Sequence, residues 1–287
     1  MTTQPAIAQV RATYAIPRRR GRFSSNGGIW RLTGVLIAIL TTLPLLTLLP
    51  AWLTVEGEVW QHLVDTLLVD LLRNTAVLTL GVGLGVFVLG VGLAWLTAMC
   101  EFPGRRIFDW ALMLPLGIPT YVLAFVAIGV LDFSGPVQSG LRALFDTNLD
   151  TGTLWFPPIR SEGGVIAVMV LALYPYVYML ARAAFLGQGR NVLESGRVLG
   201  LNPWQVFFRV SLPMARPAIA AGVALALMET LADFGAVAIF NYDTFTTALY
   251  KAWFDLFNLP AAAQLSTLLL LFVALALVGE RQSRGRA

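Results

Sequence analysis

Six stretches of roughly 20 apolar residues recur along this 287-residue chain and leave little freedom about its fold. Each is long enough, as a helix, to cross a hydrocarbon core of ~30 Å. They fall at about 32–52, 75–99, 107–131, 163–186, 216–240 and 261–279. Only 13% of the residues are charged and 57% are hydrophobic. Ordinary soluble chains carry about 25% charged residues, so a soluble domain is excluded. The fold class expected is an all-α integral membrane protein with about six transmembrane helices.

The charges orient the bundle. With the N-terminus inside, the inner segments hold Arg11, Arg18, Arg19, Arg20, Arg22, Arg31, Arg105 and Arg106. They also hold Arg182, Arg190, Arg197, Arg209, Arg216, Arg281, Arg284 and Arg286. The outer segments keep only Arg73, Arg142, Arg160 and Lys251, with most of the acids. That asymmetry predicts both termini in the cytoplasm. It also explains the pI near 9.6 without a nucleic-acid partner. The arginines before Leu32 resemble the start of a secretory signal, but the apolar run that follows exceeds a signal core of ~7–15 residues. A retained first span is expected. The lone Cys100 excludes an internal disulfide framework.

Within the spans, Gly81 and Gly85 lie one turn apart and predict close approach of a neighbouring helix. Pro115 and Pro119 remove backbone donors from span three and predict a kink. Such a kink either borders a transport path or is a plain feature of the span. The outer segment 132–162 is long for a connection: an irregular surface loop, or a surface for an extracytoplasmic partner.

Between spans four and five the chain stays outside the membrane, over about 190–213. Residues 191–199 suit a short helix with Glu194 near its positive end. Gly200 suits the left-handed residue that closes it. Asn202 suits the cap of a second helix and Pro203 its first position. Trp204, Val206, Phe207, Phe208 and Val210 load that helix with apolar side chains, and Pro213 is expected to end it. One reading is a rigid knob for a cytoplasmic partner. The other is an amphipathic segment lying flat on lipid, which needs no central break with both a closing glycine and a new cap.

The spacing Glu194-Ser195-Gly196, three residues, Gly200, nine residues, Val210, one residue, Leu212-Pro213 resembles the EAA loop of ABC importer permeases. Ser195 and Gly196 stand where that family usually has alanines, and Val210 where it usually has isoleucine. The resemblance implies a type I permease core with this loop as the coupling helices that grip a cytoplasmic ABC ATPase dimer. It further implies an extracytoplasmic substrate-binding protein and a second permease half, either this chain again or a paralogue. ATP and Mg would then sit on the ATPase, with no cofactor on this chain. No Gly-x-x-x-x-Gly-Lys-Ser/Thr phosphate loop is present in the sequence. The run Met228 to Gly235, followed by Tyr242 to Thr247, is similar to the first half of iron(III) importer permeases, which commonly fuse two such halves. On this resemblance residues 1–31 form a basic cytoplasmic segment, 32–280 the permease domain, and 281–287 a basic tail or linker.

Glu229 and Asp233 are the acids expected well within a span, ~20 and ~26 Å along the helix from Arg216. Their i, i+4 spacing puts them on one helical face. That face either lines the substrate path, suiting a hard cation, or holds helices together. Asp233-Phe234-Gly235 in a membrane helix is no kinase motif. His62 reads as a surface residue, and no zinc or Ser–His–Asp set is evident. The candidate path residues are Glu229, Asp233, Pro115 and Pro119. The function expected is a permease subunit of a bacterial inner-membrane importer, with iron(III) as leading substrate and thiamine, a phosphonate, a polyamine or an inorganic anion as alternatives. From a different class, a structural membrane subunit or an integral-membrane enzyme stands against it.

Overall fold

A computed structural model describes residues 27–53, 65–145, 156–189 and 191–284. The basic segment before residue 27, His62, Arg190 and residues 285–287 lie outside them. Helix α1 (Gly27–Leu46) is apolar all round, with Leu40 74% exposed, as suits a helix bathed in lipid. Thr41 and Thr42 donate their hydroxyls to carbonyls one turn back, Thr41 to Ile37 at 2.9 Å and Thr42 to Ala38 at 2.6 Å. α1 belongs to a compact unit of its own.

The second unit is built on α2 (Leu68–Met99), α6 (Glu162–Gln188) and α9 (Leu212–Ala232). α6 lies between the other two and supplies the deepest side chains: Val165, Met169, Val177, Tyr178 and Phe185 are fully buried. Its start is fixed by Ser161, whose hydroxyl accepts from the Gly164 N–H at 3.1 Å. Gly81, Gly85 and Gly90 of α2 face α6 with no room to spare. A Cβ at Gly81 would lie 2.7 Å from Ile166, and one at Gly85 2.3 Å from Val170. On the other flank, a Cβ at Gly222 of α9 would lie 2.8 Å from the Cα of Val177. These glycines are packing residues: in lipid, where apolar side chains gain nothing by association alone, close backbone contact supplies the dispersion energy.

Around this trio run α3 (Arg105–Ala111), α4 (Thr120–Leu131), α5 (Pro136–Leu144), α7 (Asn191–Val198), α8 (Pro203–Val206), α10 (Gly235–Ile239), α11 (Phe245–Tyr250) and α12 (Leu259–Arg284). Among the described residues, five helical segments are long and apolar enough to cross a membrane, and the sixth expected span falls within α12, a 26-residue helix that is apolar over Leu259–Ala274.

Four expectations are corrected. Span three is broken, not kinked: α3 ends at Ala111, a tight turn occupies Leu114–Gly117, and α4 starts after the extended Ile118 and Pro119. Two prolines four residues apart remove two donors of the same ladder, and the residue before Pro119 is pushed to extended backbone. Span five ends at Ala232, not near 240. Pro213 ends nothing, because the chain stays helical from Pro203 to Ala232. The outer segment 132–162 is not wholly irregular, since it contains α5, anchored by Gln138 donating to the Leu131 carbonyl at 2.8 Å.

The glycine seam makes a direct prediction. Gly85→Ala should destabilise the detergent-solubilised protein by about 1–3 kcal/mol through overpacking, with partial recovery in Gly85→Ala/Val170→Ala. Gly92→Ala, where a Cβ meets nothing within 4 Å, should leave the melting temperature unchanged or slightly raised. Thermal melting of the purified variants checks both.

Candidate functional site

The elbow between α6 and α9 is assembled by local chemistry. α7 closes with the Leu199 N–H on the Ser195 carbonyl at 3.1 Å and the Leu201 N–H on the Gly196 carbonyl at 2.9 Å. Gly200 between them is left-handed, with φ 76°. That conformation costs a residue with a Cβ roughly 1–2 kcal/mol. α8 begins at once: the Gln205 N–H donates to Asn202 Oδ1 at 2.8 Å, and the Asn202 N–H donates to Gln205 Oε1 at 2.9 Å. This is a reciprocal capping box, with Pro203 in the first helical position. Gln205 was overlooked in the sequence, although the Asn-x-x-Gln spacing is its signal.

Gly196 is where α7 lies against α8, since a Cβ there would sit 2.4 Å from Val206. Phe207 is buried and roots the elbow, its ring 4.7 Å from Trp95 of α2 and 6.3 Å from Phe185 of α6. On the outside, Glu194 and Ser195 are exposed, as are Val198 (87%), Leu199 (77%), Trp204 (68%) and Phe208 (58%). Trp204 and Phe208 stack with centroids 6.3 Å apart. The elbow therefore shows a stiff, largely apolar face ringed by polar groups.

Its second arm runs into the bundle through one wide turn, Phe207–Ser211, where the Leu212 N–H reaches the Phe207 carbonyl five residues back. The extra residue in this turn relieves the clash that the Pro213 ring would otherwise make one turn earlier. Val210, Leu212 and Pro213 are half-buried along it. Gln188, at the end of α6, donates to the Ser211 carbonyl at 3.0 Å and braces the turn.

At the far end of α9 the two candidate acids part company. They do not share a helical face, because Asp233 has extended backbone (ψ 131°) just beyond the helix. Its Oδ1 accepts from the Thr120 hydroxyl at 2.5 Å. Its Oδ2 accepts from the N–H groups of Ala236 and Val237 at 2.9 and 3.3 Å, and its carbonyl accepts from the Thr246 hydroxyl at 2.7 Å. Asp233 thus joins α4, α9, α10 and α11. Glu229 is exposed on α9 and makes no hydrogen bond or ion pair among the described residues. The break at Pro119–Thr120 lies against the break at Asp233–Gly235, where a Cβ on Gly235 would come 2.7 Å from the Cβ of Tyr121. Pro115 sits half-buried in the tight turn just before this contact, and Pro119 is exposed.

Two further polar ties were overlooked. Asp109 of α3 pairs with Arg182 of α6 at 2.9 Å, both largely buried. In the turn after α10, outside the spanning helices, the single Tyr242 hydroxyl proton is shared between Glu162 at 3.3 Å and the Asn74 carbonyl at 3.2 Å. Burial, and then the Glu162 carboxylate, push the Tyr242 hydroxyl up to about 12. Among the described residues, no three His, Cys, Asp or Glu side chains converge to hold a metal ion.

The family described as "binding-protein-dependent transport system inner membrane component" matches residues 87–284. The Fe(3+)-transport system permease protein FbpB 2 of Haemophilus influenzae is 32% identical over 217 residues, covering 76% of this chain but 38% of that protein. The molybdenum transport system permease protein ModB of Escherichia coli is 29% identical over 195 residues, covering 66% of this chain and 80% of that protein. The permease fold is seen in a bacterial alginate ABC transporter solved in complex with an alginate pentasaccharide-bound periplasmic protein. It superposes with a TM-score of 0.70 at 17% identity, over 90% of this chain and 94% of that one.

The split between the acids is testable. Asp233→Ala leaves several buried donors without an acceptor and should destabilise the protein by about 1–3 kcal/mol. Glu229→Gln should leave the melting temperature where it is. Parallel thermal melts separate a structural carboxylate from a free one.

Proposed function

Because the chain belongs to the binding-protein-dependent transport system inner membrane component family, we propose that it is one permease half of an ATP-driven importer. Its substrate arrives on an extracytoplasmic binding protein. The observation that carries the reading is the elbow, a capped, aromatic-rooted bracket whose exposed face combines Glu194 and Ser195 with Leu199, Trp204 and Phe208. A segment held this rigidly, yet offering this much apolar surface, suits a groove on a separate protein. That partner is an ATPase dimer, which carries the ATP and Mg. A second half, a copy or a paralogue, completes the pathway, with Glu229 on the face turned to it. Both termini lie in the cytoplasm of a bacterial inner membrane, as the arginine bias requires.

Iron(III) is the substrate to test first, supported by the similarity to the iron permease and by the run from Met228 to Gly235. An oxyanion such as molybdate is the second. It is favoured by the similarity to the molybdenum permease and by Asp233, whose oxygens are occupied by protein donors rather than free for a cation. Selectivity then rests mainly with the binding protein.

Two experiments check this. Glu194→Arg and Gly200→Val should each abolish co-purification of the ATPase while leaving membrane insertion intact; retained ATPase and uptake in both would end the importer reading. Uptake of labelled iron(III) and molybdate into vesicles should identify the substrate, and Glu229→Gln should slow it. Unchanged uptake in Glu229→Gln removes that residue from the pathway.

A further inference from the structure

Ala215, Ile219, Gly222, Ala226 and Thr230 form a buried stripe along α9. Their spacing is that of a regular helix, in which each residue turns ~100°. Continued back toward the elbow at the same pitch, the centre of this stripe falls on Phe208, and Phe207 stands about 100° away from it. The structure has the reverse. Phe207 is 8% exposed and lies against Trp95 and Phe185, whereas Phe208 is 58% exposed. The side chains cannot have made that choice, since both are phenylalanine.

The wide turn Phe207–Ser211 accounts for the reversal. By sending the Leu212 N–H five residues back, it takes in one residue more than a regular turn. Everything before it is therefore rotated by about one residue's step, ~100°. Phe207 takes the place that Phe208 would hold in a straight helix. The cause lies at Pro213. In the straight register its ring would strike the Arg209 carbonyl four residues back and offer it no N–H. Pro217 sits in α9 without a wide turn, so a proline alone does not suffice. At Pro213 the Gln188 side chain, which donates to the Ser211 carbonyl at 3.0 Å, holds the wide register in place.

We propose that Pro213 is a positioning residue for the elbow: through the wide turn it sets the helical phase that roots Phe207 in the bundle and presents Phe208 on the exposed face. The inference concerns the helix alone and stands apart from the importer reading. Two phenylalanines side by side then have opposite roles because of a proline five residues beyond.

Cysteine accessibility in the full chain, held in membrane fragments, tests it, with a charged maleimide as the probe. The background is Cys100→Ser, which removes the native thiol. Phe208→Cys should label and Phe207→Cys should not. Ala215→Cys, fully buried in either phase, serves as the control for unfolding. Adding Pro213→Ala lets the turn close to a regular one, so Phe208→Cys should fall to the level of Ala215→Cys and Phe207→Cys should label. Pro213→Ser, which also restores the N–H, takes its place if Pro213→Ala fails to insert. Deleting Val210 from the Pro213→Ala chain shortens the straight helix by one residue and should restore the first pattern. A chain that had merely been disrupted would not recover on losing a further residue. Undiminished labelling of Phe208→Cys beside Pro213→Ala, labelling of Ala215→Cys there, or no recovery on deleting Val210 would overturn the proposal.

Discussion

Close backbone approach along α6 is the interaction on which the rest depends. In water, burying apolar side chains drives helices together; among lipid tails that force vanishes, and dispersion between closely fitted surfaces takes its place. Gly81, Gly85 and Gly90 on one side and Gly222 on the other let α2 and α9 meet α6 where any Cβ would intrude. Everything with a functional reading is attached to this trio. The elbow roots in it through Phe207 against Trp95 and Phe185. α3 is pinned to it by the Asp109–Arg182 pair.

Lipid imposes a second constraint, that freed backbone groups need partners. The chain breaks two helices where the continuous spans would have left none to satisfy. It meets the requirement by placing the breaks side by side. Asp233 takes up the N–H groups at the start of α10 and the hydroxyl of Thr120 at the start of α4. One carboxylate thus serves two interruptions, which explains why an acid is tolerated at this depth. Irregular backbone among spanning helices occurs where it is covered by protein or lines a cavity; the Asp233 junction meets the first condition, and under the importer reading the exposed Glu229 one turn away would serve the second.

How far the sequence disclosed this follows from the range of the forces involved. Gly200, Asn202 and Pro203 were legible because caps and left-handed turns are decided within four or five residues. The glycine seam was legible as a spacing, although not which helix it would meet. Pro119 was misjudged because one proline kinks a helix, whereas two, four apart, deplete the same ladder twice. Pro213 was misjudged in the opposite sense: a single wide turn at Phe207–Ser211, which no local pattern announces, carries the helix past it. The pairing of Glu229 with Asp233 failed because it presumed a helix that ends at Ala232. Gln188, Arg182 and Thr120 act across the fold, and nothing near them in the sequence names their partners.

The continuity past Pro213 has a mechanical consequence for the importer reading. Had the second elbow helix stopped there, a push on the elbow would have been absorbed by a loop. Instead the segment Pro203–Ala232 is helical throughout and spans ~45 Å, from the exposed aromatic pair Trp204 and Phe208 to the Asp233 junction. A helix of that length, rooted at Phe207 and braced by Gln188, transmits displacement along its axis and concentrates bending at its one wide turn. At its far end the carboxylate of Asp233 couples α9 to the starts of α4 and α10, so tilting the rod must strain or shift both breaks together. Under the importer reading, a change of state in a cytoplasmic partner would reach the Asp233 junction by this route as a rearrangement of two short, hydrogen-bonded interruptions, without requiring any long helix to unfold.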